Sequence, residues 1–160
     1  MIDFRLPSAE LLKLHAQIAD QLRARGITRS ENKPTGDLAE FLFCRAFGWQ
    51  QAGNSNANVD AIGADGYRYQ IKGRRLTQHN GSRQLSALRD LAGAHFDFLA
   101  GVLFASDYTV RRAAIIPRFV IAERSTFVAR TNSHTFFLRD DIWEVAGVRD
   151  VTGELRALKY

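Results

Sequence analysis

Cysteine is nearly absent. One residue, Cys44, stands among 160, so an internal disulfide and a Cys-based zinc cluster are excluded, and the usage suits a reducing compartment. Proline is scarce as well, 3 residues beside 12 glycines, which rules out collagen-like and low-complexity chains. The longest strongly apolar run, residues 98–105, falls far short of the roughly 20 residues a membrane span requires. The opening MIDFRLPS has neither a basic nor an apolar leader segment. These absences predict a cytoplasmic protein with no membrane association. No glycine-rich phosphate loop, HExxH helix or paired-Cys spacing occurs, and His15, His79, His95 and His134 are scattered; zinc-hydrolase and P-loop chemistry are therefore not expected.

What is present is a chain able to fold. Hydrophobic residues make up 46%, charged residues 24% and aromatics 11%, and the length suits one core rather than two. A single domain over residues 1–160 is expected, with its core at roughly 35–116 and residues 117–160 unassigned. Basic residues outnumber acidic ones, 22 to 17, for a formal charge of +5. Few of the basic residues are lysine, and an arginine-rich surface favours planar bidentate contacts to phosphate.

Along the chain, Leu11, Leu12, His15, Ile18, Ala19 and Leu22 share a stripe at helical spacing, which predicts an amphipathic helix with His15 on its buried side. A second helix is expected from a cap at Thr35 to Gly48. It is apolar nearly all round, with Leu38, Phe41 and Leu42 on one side and Phe43, Cys44 and Phe47 on another, so Cys44 reads as a packed thiol and not a nucleophile. Residues 59–63 and the run GYRYQIKG read as strands joined by a turn at Gly66. In the latter, Tyr67, Tyr69 and Ile71 alternate with Arg68, Gln70 and Lys72, so the polar three share a face. Residues 82–91 are expected to form a short helix through Leu85, Leu88 and Leu91. Residues 96–104 and 110–116 predict a buried hairpin, Pro117 the start of a short helix, and residues 135–138 a strand.

Glu40, Asp60, Gln70 and Lys72 are the candidate functional residues. A carboxylate on an apolar helix face is costly to desolvate without a partner, and Glu40 lies on such a face. A hairpin brings Asp60 opposite Gln70 and Lys72. Hard divalent cations choose carboxylate, amide and carbonyl oxygens, which Asp60, Gln70 and the Ile71 carbonyl can offer, with Lys72 facing a water. The polar loop 54–58 is placed near the groove; its N-x-N-x-N rhythm lacks the leading Asp, the Gly and the closing Glu of a calcium loop. Arg111 and Arg112 sit inside an apolar run, where either substrate contact or a strand-end position accounts for them.

This order of residues resembles the signature of the PD-(D/E)xK nucleases: an acid on one strand, (D/E)xK on the next and a Glu on the preceding helix. Here they are Asp60, Gln70-Ile71-Lys72 and Glu40. Val59 stands where the name-giving proline would be, and Gln70 replaces an acid. The resulting QxK is similar to the variant of Mrr-type restriction endonucleases, at the cost of one negative charge. The resemblance implies an α/β restriction-endonuclease-like core, a central mixed sheet of about four or five strands flanked by helices. It implies a divalent-metal-dependent nuclease acting on DNA with Mg²⁺ or Mn²⁺. Asp60, Gln70, Lys72 and Glu40 would then be catalytic, with Asp60, Gln70, Glu40 and the Ile71 carbonyl as metal ligands. Arg68, Arg74 and Arg75 would hold backbone phosphates. Cutting both strands of a duplex takes two sites, which a homodimer would supply. The alternatives are a catalytically inactive nucleic-acid-binding or assembly subunit on the same scaffold, and a protein-interaction domain.

Overall fold

The structure, a computed structural model, describes residues 4–53 and 58–160. In chain order the helices and strands are α1 (Ser8–Ala24), α2 (Thr35–Phe47), β1 (Gln50–Gln51), β2 (Ala61–Ile62), β3 (Arg68–Arg75), β4 (Leu88–Arg89), β5 (Phe98–Phe104), β6 (Val110–Pro117), α3 (Arg118–Arg124), β7 (Thr126–Val128), β8 (Ser133–Thr135), β9 (Arg149–Asp150) and α4 (Thr152–Arg156). The fold is mixed α/β. Its central sheet has six strands in the order β1-β2-β3-β5-β6-β9, and only the β3–β5 pair is parallel. A smaller sheet runs β4-β8-β7. The count exceeds four or five because β1 and β9 have two residues each, too few to show a period of two. Among the described residues no helix is long and apolar enough to cross a membrane.

Two apolar clusters cover the faces of the central sheet. On one face α2 places Leu38, Ala39, Leu42 and Phe43 against Tyr69, Ile71, Ala100, Val102 and Phe104. The approach is close at Gly73, where a Cβ would stand 3.0 Å from that of Ala39 and 3.1 Å from the Thr35 carbonyl; glycine there lets helix and strand meet. Leu85, Leu88, Leu99, Leu103, Ile116, Phe136 and Leu138 build the other face. An aromatic series braces the head of β3: Phe43 stacks on Trp49, Trp49 on Tyr69 at 3.6 Å between centroids, and Tyr69 on Phe98.

Several expectations need correction. Residues 82–90 form no helix, and Leu91 only opens a 3-10 turn to Gly93: the Leu85 N–H donates to the Phe136 carbonyl and Leu88 pairs with His134 across β4 and β8. Extended chain buries Leu85 and Leu88 as well as a helix would, so spacing alone misleads. None of α1 is buried, and His15 is exposed. Thr35 begins α2 instead of capping it; the Asp37 carboxylate accepts from the backbone N–H groups of Arg29 and Ser30. The late strand ends at Thr135, with Phe137 continuing only as a bridge to Gln84. As expected, Gly48 ends α2 in the left-handed region at φ 65°, β5 and β6 pair antiparallel, and α3 follows Pro117.

Candidate functional site

The β2–β3 hairpin turns at Gly66, φ 83°, and sets Ala61 across from Tyr69. One residue earlier, the Asp60 N–H also donates to the Tyr69 carbonyl at 2.9 Å, one residue out of that register, so Asp60 and Ala61 both face Tyr69 as in a β-bulge. β2 has just begun there, and the Asp60 side chain takes the place of the missing ladder partner: Oδ2 accepts the Ile71 N–H at 2.7 Å. The Ile71 carbonyl points to the same edge as its N–H. Gln70 and Lys72 stand on the face opposite Gly73 and therefore opposite α2. Glu40 reaches the site from α2, which also touches β1. Its Oε2 accepts from Arg29 Nη2 at 2.7 Å and Gln51 Nε2 at 2.8 Å.

These partners change the meaning of Glu40. Its position on an apolar helix is explained by a guanidinium and an amide, with no metal ion needed. Gln70 has no such explanation: it is 6% exposed, and its Oε1 is buried with no hydrogen-bond partner. Leaving a buried acceptor unmet costs about 1–3 kcal/mol.

The three ionisable groups are held away from water and feel one another. Burial raises the Asp60 carboxyl above its usual range, opposed by the Ile71 N–H and by Lys72 and Arg29. Burial likewise raises Glu40, opposed by Gln51 and Arg29 and assisted by the Asp60 charge. Lys72 is lowered by burial, with Asp60 and Glu40 pulling the other way. The Cys44 thiol is pushed up to about 11 by burial and the Glu40 charge, as expected of a packed thiol. The structure thus brings Glu40, Asp60 and Lys72 within electrostatic reach of one another at the β2 side of β3; Gln70 lies two residues before Lys72 on the same strand, with no hydrogen bond to the other three among the described residues.

The three arginines are engaged differently. Arg68 binds Asp97 through Nη2 at 2.9 Å and Nε at 3.1 Å, and through its backbone N–H at 2.8 Å; this ties the heads of β3 and β5 together. Arg74 donates to the Ser82 carbonyl and Asn80 Oδ1. Arg75 donates to the Ser106 carbonyl and lies 4.5 Å over the Tyr108 ring. Both occupy the far end of β3. Loop 54–58 lies outside the described residues at 54–57. Sequence reasoning missed Arg29 and Gln51: the first lies in a polar connection and the second in a two-residue strand, and neither carries a pattern. Among the described residues no group of three His, Cys, Asp or Glu is disposed to hold a metal ion. No family model and no curated protein matches this chain.

Proposed function

We propose that this chain is a divalent-metal-dependent nuclease that hydrolyses phosphodiester bonds in DNA, built on a restriction-endonuclease-like core. The observation that carries the reading is the sealed, unpartnered Gln70 Oε1, next in the chain to Ile71, whose N–H binds Asp60. An oxygen donor set of a carboxylate, an amide and a strand carbonyl suits Mg²⁺ or Mn²⁺. Asp60, Gln70 and the Ile71 carbonyl would hold the ion, and Glu40 has Oε1 available because both its hydrogen bonds fall on Oε2. Such an ion, when bound, polarises a phosphate oxygen and lowers the pKa of a water. The protein's own part is to orient and to balance charge. Asp60 is fixed by the Ile71 N–H. Lys72, partly desolvated beside two carboxylates, positions the attacking water and offsets charge on the phosphate in the transition state. Arg74 and Arg75 neutralise flanking phosphates. No covalent intermediate is required.

The second reading, a nucleic-acid-binding or assembly subunit without cleavage, is favoured by one feature: Gln70 is neutral where the resembled signature has an acid. Incubation with plasmid and with single strands, with and without Mg²⁺ or Mn²⁺, separates the two. The nuclease reading expects metal-dependent cleavage that falls by about 10³-fold or more in Asp60→Ala and Lys72→Ala. A salt-sensitive gel shift with no cleavage under any metal supports the binding subunit. Cleavage unchanged in Asp60→Ala overturns the assignment of the site.

A further inference from the structure

A second charged region lies beyond the far end of β3. Arg74 pairs with Leu103 of β5, and Leu103 pairs with Arg112 of β6, so the three form one cross-strand row. That row is one pleat from Lys72 on the same face. Leu103 and Arg112 line a cavity of about 340 Å³ together with Arg83, Arg111, Arg156 and Asp140: four arginines and one aspartate, a formal +3. A second cavity of about 470 Å³ shares Arg83 and Arg111 with the first and extends to Ser106, where Arg75 is anchored.

Three of the four guanidinium groups are already fixed. Arg83 and Arg112 both donate to Asp140 Oδ1, at 2.6 and 3.3 Å. Arg112 lies 3.8 Å over the Trp143 ring. Arg156 is held by the Val110 and Arg111 carbonyls. Arg111 is exposed and makes no side-chain hydrogen bond or ion pair among the described residues. Asp140 and, from just outside the cavity lining, Asp150, 3.8 Å from Arg112 Nη2, answer two of the four charges; the rest, with Arg111 unengaged, stays unanswered, and planar guanidinium groups match phosphate oxygens bidentately.

We infer that the arginine-lined concavity at the β5–β6 end is a subsite for the phosphodiester backbone of a nucleic-acid strand that continues past Arg74 toward Lys72. Lys72 and Arg112 are two strands and two residues apart, about 12 Å, a span of a few nucleotides on one strand. The direction of the strand rests on the nuclease reading; the binding does not. Fixed donors hold a repeating anion better than a single small one, because counterion release grows with each phosphate engaged.

The test is fluorescence anisotropy of a short labelled DNA duplex and of its single strand, titrated in EDTA over a series of salt concentrations. Arg111→Ala weakens binding about tenfold and lowers the salt slope by about 0.9 for duplex or 0.7 for single strand. Arg111→Lys retains the slope. Arg25→Ala is the control: Arg25 is exposed at the end of α1, on the helix whose Leu22 packs into the α2-side cluster, and it changes affinity less than about twofold. Equal losses in Arg111→Ala and Arg25→Ala overturn the subsite, because net charge alone would then explain binding. Competition by inorganic phosphate or poly-glutamate as effective as that by unlabelled DNA overturns it too, in favour of a small-anion or acidic-protein site. Wild-type binding through Arg111 with no plasmid cleavage fells the nuclease reading and leaves the subsite standing.

Discussion

At the β2–β3 edge, burial drives Asp60 and Glu40 up and Lys72 down; desolvation works against the charged form of each. At the β5–β6 end the order is reversed. Asp140 is held below the ordinary carboxylate range by its hydrogen bond from Arg83 and by the surrounding guanidinium charge, and every member lies within reach of water. Exposed pairs of the second kind add little to stability, and desolvated charges of the first kind cost stability unless something completes them. On the proposed reading, the difference separates the two duties of a phosphodiesterase. Chemistry needs groups that are unsatisfied until the ligand set closes, and grip needs groups already satisfied and merely lent.

The largest expected contrast is thermal. Mg²⁺ at about 100 times its Kd stabilises the folded chain by about 2.7 kcal/mol, a rise in Tm of roughly 5–10 °C at 2–4 °C per kcal/mol. Differential scanning fluorimetry should show this rise in the wild type and in Arg112→Ala, and none in Asp60→Asn. An equal rise in Asp60→Asn would place the cation elsewhere. A smaller effect belongs to the arginine face. Arg112→Ala removes the contact over Trp143 and one bond to Asp140, costing about 1 kcal/mol and lowering Tm by about 2–4 °C; no change would mean the guanidinium is not held.

The smallest effect sharpens the contrast through pH. Asp60 has a folded-state pKa above its unfolded value, so its contribution is present below the unfolded pKa and is lost as pH rises through the folded one. Asp60→Asn is therefore more stable than wild type near neutrality, and the gain fades in acid. Asp140 is shifted downward, so its contribution is present above the unfolded pKa and is lost as pH falls through the folded one. Asp140→Asn should be less stable near neutrality, and the deficit should fade in acid. Urea denaturation of both variants at neutral and acid pH checks the opposite signs; slopes of the same sign would dissolve the distinction.

What could be read in advance was what repeats locally. The helix ending at Gly48, the β5–β6 hairpin and the alternation of β3 each have a period that one short window contains. The leucines at 85, 88 and 91 show the limit, since spacing of three describes which residues are buried and not the backbone that buries them. In α1 the period was genuine, yet Leu12 is 70% and Ile18 44% exposed, because a stripe does not say whether a partner covers it. Asp60, Gln70 and Lys72 were legible as a hairpin constellation. Arg29 and Gln51, each 11 residues from Glu40 in opposite directions, were not. The arginine face was legible still less, for Arg83 meets Asp140 across 57 positions and Arg156 meets Val110 across 46.

The chain has two tryptophans, and they divide between the two regions. Trp49 lies flat on Tyr69 one residue before β1, whose Gln51 holds Glu40; Trp143 lies beneath Arg112 and donates its indole N–H to the Ala113 carbonyl. Each indole is therefore a built-in optical reporter for its own region. Replacing either with phenylalanine would let emission from the other follow cation loading and strand docking as separate signals in an unlabelled molecule.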